Sequence, residues 1–191
     1  MNIGKFFVLE GLDGSGKTTV INCLREEFPD FLYTREPGGS VFGEKIRKVL
    51  LDQESKDVPA LPLLLSFMSA RASHFQEVIV PAVRAGKTVV SDRFDASTFA
   101  FQLHGQEHIE LNSLFWELRN KILPAETEFW PRYIYLRMEP EVAERRRRKR
   151  KKQLTTRRIW RILFLKKEVK SVYNLTFKCL RVFTIPTNFT S

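Results

Sequence analysis

Cysteine is scarce in this chain: Cys23 and Cys179 are the only two, and their spacing fits neither a redox pair nor a zinc half-site. With only His74, His104 and His108 beside them, a structural zinc centre is not expected. No apolar run reaches the roughly 20 residues needed to cross a bilayer. Met1-Asn2-Ile3-Gly4-Lys5 leads at once into a patterned strand, so no leader is expected either. Internal repeats are absent, and the one low-complexity stretch is Arg145–Lys152, eight consecutive Lys or Arg. Acidic residues are rare where basic ones crowd: residues 141–191 hold 16 Lys/Arg against three Glu, whereas 1–140 hold 16 against 19 Asp/Glu. The net charge of +10 therefore belongs to the end of the chain, which argues against a uniformly basic nucleic-acid module. What remains is a single-domain chain of 191 residues in a reducing, cytoplasmic setting, long enough to bury a core.

The patterned segments alternate. Lys5–Glu10 is a short apolar run, which reads as a buried parallel strand, and helical character follows from Lys17 to Glu27. Phe31–Arg35 is a second strand, closed by the turn Glu36-Pro37-Gly38-Gly39. Helices are expected over Val41–Leu51 and Pro62–Ala85, the latter stopped by Gly86 before a third strand, Thr88–Asp92. A helix over Leu111–Ile122, a strand over Tyr133–Arg137 and a charged helix from Pro140 to Lys152 complete the pattern, with a final strand at Leu180–Ile185. Strands alternating with helices imply an α/β fold: a parallel sheet of about five strands with helices on both faces. Ligands of such sheets bind beyond the carboxyl ends of the strands.

Gly11-Leu12-Asp13-Gly14-Ser15-Gly16-Lys17-Thr18 has the spacing GxxxxGK[ST] between that first strand and first helix. The glycines let backbone amides turn inward as an anion nest at a helix N-terminus. Lys17 is placed to reach the β and γ phosphates of a nucleoside triphosphate, and the Thr18 hydroxyl to ligate Mg²⁺. The whole segment Gly11–Thr19 is the expected ATP cradle.

Three further blocks narrow the reading: Thr34-Arg35-Glu36-Pro37-Gly38-Gly39, Phe67-Met68-Ser69-Ala70-Arg71, and Ser91-Asp92-Arg93-Phe94 with Ser97 to Gln102. Phe67 and Arg71 are four apart, so on a helix they share one face, where a ring can stack on a base and a guanidinium can donate to its carbonyl. In this order and with the phosphate loop, the blocks resemble thymidylate kinase, a family of P-loop nucleoside monophosphate kinases, from about Lys5 to Arg148. The resemblance implies transfer of the γ-phosphoryl group of ATP to dTMP, with Mg²⁺ as cofactor, in dTTP synthesis. It implies dTMP contacts at Asp13 (sugar hydroxyl), Arg35, Pro37, Phe67, Arg71, Arg93 (acceptor phosphate), Phe101 (near the sugar C2′) and either Thr98 or Gln102. Thr18 and Asp92 would hold the metal, and Lys17, Asp13, Asp92 and Arg93 would carry the chemistry. It also implies a homodimer, with the Pro62–Ala85 helix as a contributor, and no specific nucleic-acid partner or membrane.

Two other readings stay open. A deoxynucleoside kinase also places Glu-Pro after the second strand, with the Glu as base on a hydroxyl, as Glu36-Pro37 could be. A basic tail could alternatively attract nucleic acid, in a homologue of impaired activity. With no arginine at Leu12, Asp13, Gly14 or Ser15, the family's catalytic arginines would come from a lid, expected within residues 138–160, with Arg148 and Arg150 as candidates. Beyond Lys152 the likeness stops abruptly after the Lys/Arg run, as a one-base slip in A-rich codons would produce. Such a basic tail over 153–191 is poorly suited to covering a sheet edge.

Overall fold

Phe6–Glu10 forms strand β1, apolar on both faces as a strand covered on each side must be. In the computed structural model, which describes residues 3–52, 54–151 and 182–186, it lies at the centre of one parallel sheet. Phe6 and Val8 join the larger core, while Leu9 packs with Ile21 and Val90 on the opposite face. By the same alternation Glu10 falls on the Phe6–Val8 side, a charged residue at the end of an apolar row.

Helix α1 (Lys17–Glu27) follows β1, then β2 (Leu32–Arg35) and α2 (Val41–Leu50). Ser40 caps α2, accepting the Gly43 amide at 3.0 Å. Helix α3 (Ala60–His74) runs into a wide π-type turn at Phe75–Ile79 and on through α4 (Val80–Arg84). The expected single helix over Pro62–Ala85 is thus two helical stretches around that turn. Pro81 has no N–H to give to the preceding turn, and the widened segment just before it absorbs the break.

After β3 (Val89–Asp92) comes a segment in which the sequence shows no element: α5 (Asp95–Thr98), widening directly into a π-type turn at Phe99–His104. Nearly every residue from Asp95 to Leu103 is buried, so no polar face marks the helix and the 3.6-residue period is lost. Helix α6 (Asn112–Ile122), β4 (Arg132–Arg137) and α7 (Pro140–Lys151) follow, and β5 spans Val182–Pro186.

The strand order is β2-β3-β1-β4-β5, every pair parallel. β5, described over Val182–Pro186, overlaps the strand expected at Leu180–Ile185 and lies along β4, so the tail does supply a strand at that sheet edge. The expected lid beyond Lys151 and the remainder of the tail lie outside the described residues. Register sets Asp92 beside both Leu9 and Arg35, which brings the ends of β1, β2 and β3 to one rim.

Candidate functional site

Three of the loop glycines between β1 and α1 have positive φ: Gly11 at 144°, Gly14 at 92° and Gly16 at 98°. A side chain is strained in that region, so the turn that aims the amides inward needs glycine there. Gly14 carries a second constraint, because a Cβ on it would collide with the Ala143 carbonyl oxygen of α7. The phosphate loop and α7 are in backbone contact, and Leu12 packs with Met138 and Ala143.

Lys17 opens α1 and is buried, its Nζ donating to the Gly11 and Leu12 carbonyls at 2.9 and 3.1 Å. Burial pushes its ammonium down to about 8; Arg93 adds to the shift, and Asp13, Asp92 and Glu10 oppose it. Thr18 is exposed in the first turn of α1. Two buried oxygens at this rim, Ser15 Oγ and Asp92 Oδ1, find no partner among the described residues. A buried carboxylate oxygen without a donor is a fitting ligand for a hard cation, and Mg²⁺ beside phosphates takes only one or two protein ligands. The pair Thr18 and Asp92 therefore fits the metal role, although no cluster of three acidic, His or Cys ligands occurs among the described residues.

Arg93 follows β3 with φ of 73°, uncommon for a residue with a side chain. Its Nη2 donates to Asp13 Oδ1 at 2.6 Å and its Nη1 to Ser97 Oγ at 2.7 Å. Ser97 Oγ in turn donates to Glu10 Oε2 at 2.7 Å, while Glu10 Oε1 accepts the amides of Phe94 and Ser97. Glu10, from β1, thus caps α5, whose own N-cap Phe94 offers no acceptor. Complete burial raises the Glu10 carboxyl above the ordinary carboxylate range, with Arg93, the Ser97 and Phe94 bonds and Lys17 pulling back. Burial also pushes Asp13 up, but Arg93, Lys17 and Arg147 overcome it and hold that carboxyl below its usual value.

Beside this cluster a pocket is lined by Pro37, Phe67, Arg71, Arg93, Phe101 and Gln102, with Glu36, Phe94, Ser97 and Thr98 completing its wall. Seven of the nine residues expected to meet a nucleoside monophosphate share it; Asp13 stands next to it through its bond to Arg93. Phe67 and Arg71 do share a face of α3, and Arg71 is 2% exposed, not a surface residue. The Phe101 ring lies 5.4 Å from the Arg93 guanidinium. Thr98 Oγ1 is engaged by Arg71 Nη2 at 2.7 Å, whereas the Gln102 amide has no hydrogen bond among the described residues.

Other expected residues are elsewhere. Arg35 pairs with Glu44 at 3.1 Å in an exposed position and does not line the pocket. Arg148 is 75% exposed and bonded to Glu144, and the Arg150 side chain lies outside the described residues. Arg147, not singled out in the sequence, is 13% exposed, bonded twice to Glu144, and lowers Asp13 through its charge. Glu10, Ser97 and His74 were likewise not singled out. A charged residue closing an apolar strand, as Glu10 does, was the available signal. Glu36, a possible base in the deoxynucleoside kinase reading, is held by Arg71 at 2.8 Å and His74 at 3.0 Å, a carboxylate already committed to donors.

A family model described as thymidylate kinase matches residues 9–190. The thymidylate kinase of Chlamydia trachomatis serovar L2 is 50% identical over 101 residues, covering 51% of this chain and 49% of that protein. The thymidylate kinase of Pelotomaculum thermopropionicum is 46% identical over 107 residues, covering 54% and 50% respectively. The chain spans about half the length of the curated relatives it matches. The crystal structure of thymidylate kinase from Ehrlichia chaffeensis superimposes with a TM-score of 0.68 at 26% identity, covering 95% of this chain and 93% of that one.

Proposed function

The chain belongs to the thymidylate kinase family, and from that premise we propose that it transfers the γ-phosphoryl group of ATP to dTMP, giving dTDP and ADP. The observation that carries the reading is the Arg93 guanidinium, which lines the Phe67/Arg71 pocket and is bonded to Asp13 of the phosphate loop. One side chain thereby joins the acceptor pocket to the donor cradle.

The chemistry suits this set of groups. A phosphomonoester has a second pKa of about 6, so its attacking oxygen is largely deprotonated at neutral pH and needs no base. What the transfer needs is in-line placement and neutralisation of charge spread over the transferred group. Lys17 and the loop amides hold the donor phosphates, Arg93 holds the acceptor phosphate, and Phe67, Pro37 and Arg71 hold the base. With Thr98 engaged by Arg71, Gln102 is the residue left to meet the base edge. Mg²⁺ held by Thr18 and Asp92 would neutralise the β and γ oxygens. Phe101, at the pocket wall, disfavours a ribose 2′-hydroxyl.

A cytoplasmic setting is what the family resemblance implies for this enzyme; no helix among the described residues is long and apolar enough to cross a membrane. Exposed apolar side chains on α2 (Val41, Phe42, Val49) and α3 (Leu61, Leu65) offer a face for the homodimer the family commonly forms. ADP release with Mg²⁺-ATP should be supported by dTMP and not by thymidine. Phosphorylation of thymidine but not dTMP would replace this reading with a deoxynucleoside kinase.

A further inference from the structure

Arg71 is almost wholly enclosed, and the positions of its donors are fixed one by one. Its Nε donates to Glu36 Oε2 at 2.8 Å; its Nη2 donates to the Phe94 carbonyl at 3.1 Å and to Thr98 Oγ1 at 2.7 Å. A guanidinium has five N–H groups, so three are spent on strong oxygen acceptors and two remain, both on Nη1. The acceptor near Nη1 is the Met68 thioether at 3.0 Å, a weak one. Among the described residues, the Nη1 edge is therefore the one edge of Arg71 available to a strong acceptor in the pocket it lines.

Glu36 has a second oxygen, and it too is engaged: Oε1 meets His74 Nδ1 at 3.0 Å, and His74 Nε2 meets Thr34 Oγ1 at 2.7 Å. Glu36 is 6% and His74 0% exposed, so the row Thr34–His74–Glu36–Arg71 runs from β2 to α3 with little access to water. We propose that Glu36, propped by His74, is a positioning residue that sets base selectivity by fixing which edge Arg71 presents. This rests on the dTMP kinase reading, and it deepens that reading from the base-facing arginine to the carboxylate behind it.

The physical logic is that of a donor that cannot turn. An arginine free to rotate would tolerate several base edges, whereas one locked on three sides offers N–H in one direction only. A 4-oxo pyrimidine presents an acceptor to that edge, and a 4-amino pyrimidine presents a donor, leaving two N–H groups facing each other. A site built to hydrogen-bond one group rejects the analogue lacking it far more strongly than a merely apolar pocket does. Selectivity of this kind needs the donor held to a fraction of an ångström. Glu36 is suited to it because two donors converge on its two oxygens, which neither an amide nor a shorter carboxylate can serve at once.

The test is binding and turnover of dTMP and dCMP by the wild-type chain and by Glu36→Asp, Glu36→Gln and His74→Phe. Asp keeps the charge but is one methylene too short to reach both partners; His74→Phe removes the prop while leaving Glu36 and Arg71 paired. Both Glu36 variants should raise the KM for dTMP about tenfold or more, with kcat and the KM for ATP nearly unchanged, and should narrow the preference for dTMP over dCMP. His74→Phe should shift the same quantities in the same direction by less, and keeps the test open where a Glu36 variant fails to fold. Variants that lose thermal stability yet keep the wild-type KM and dTMP/dCMP ratio would overturn the positioning role and leave the kinase reading standing. A wild-type chain that binds neither nucleotide would overturn both.

Discussion

Lys17 is where the chemistry of single residues becomes measurable before any turnover. Buried against two carbonyls and near Arg93, its ammonium is pushed down to about 8. Phosphates arriving beside it favour the charged form, so binding raises that value again. At pH 8 roughly half of the lysine is neutral in the free protein, and ATP binding should take up about half a proton per site. At pH 6 the lysine is already charged and its uptake disappears. Calorimetric titrations of ATP in two buffers of different ionisation enthalpy, at pH 8, give that number directly. Equal enthalpies in the two buffers would contradict it, and Lys17→Met should abolish the difference. Lys17 was legible in the sequence because its motif is contiguous: the eight residues Gly11–Thr18 fix loop, charge and helix start together. Glu36 and His74 were not legible as a unit, since the bonds that give them a role join β2 to α3 across 35 or more positions. Nothing in the local pattern of either segment specifies such a partner. Glu10 shows the same limit, standing in plain view at the end of the first strand, just before the phosphate loop, while its partners Phe94 and Ser97 follow another strand.

At the scale of elements, the close approach of the phosphate loop to α7 makes donor binding depend on where that helix sits. Gly14 has φ of 92° and no room for a Cβ before the Ala143 carbonyl oxygen. Gly14→Ala has to strain the loop or push α7 away, at a cost of about 1–3 kcal/mol for the backbone alone. Its effect should be lopsided: ATP affinity falls at least tenfold while dTMP affinity holds, because Phe67 and Arg71 stand on α3 and Arg93 follows β3. Parallel titrations of the two nucleotides check it, and an equal loss of both would show that the loop supports the whole rim. Elements of strong pattern were readable to within a residue or two: α1, α2, β3, β4 and α7 fall where apolar period, turn residues and Pro140 place them. The α5 segment was not readable for the reason that makes it useful. It is packed on all sides, held at its start by Glu10 from β1, and so carries pocket residues Thr98, Phe101 and Gln102 with no amphipathic signature.

Across the whole molecule the charge is divided, with −3 over residues 1–140 and +13 over 141–191, and α7 carries the first of that excess to the phosphate loop. Two neighbouring arginines of α7 sample different environments: Arg147 is 13% exposed and acts on Asp13, while Arg148 is 75% exposed. Exposed charges are screened over a Debye length of about 8 Å at physiological salt, and enclosed ones much less. Arg148 should therefore help attract ATP in a salt-dependent way, and Arg147 should act on the bound state. Raising KCl from about 0.05 to 0.3 M should increase the KM for ATP several-fold in the wild-type chain. Arg148→Gln should flatten that dependence with kcat nearly unchanged; Arg147→Gln should lower kcat at every salt concentration. If Arg148→Gln instead cuts kcat by orders of magnitude at all salt concentrations, Arg148 is the lid arginine that the family resemblance indicates. It must then leave Glu144 and reach the transferred phosphoryl group during turnover, a closure driven by the bound nucleotide.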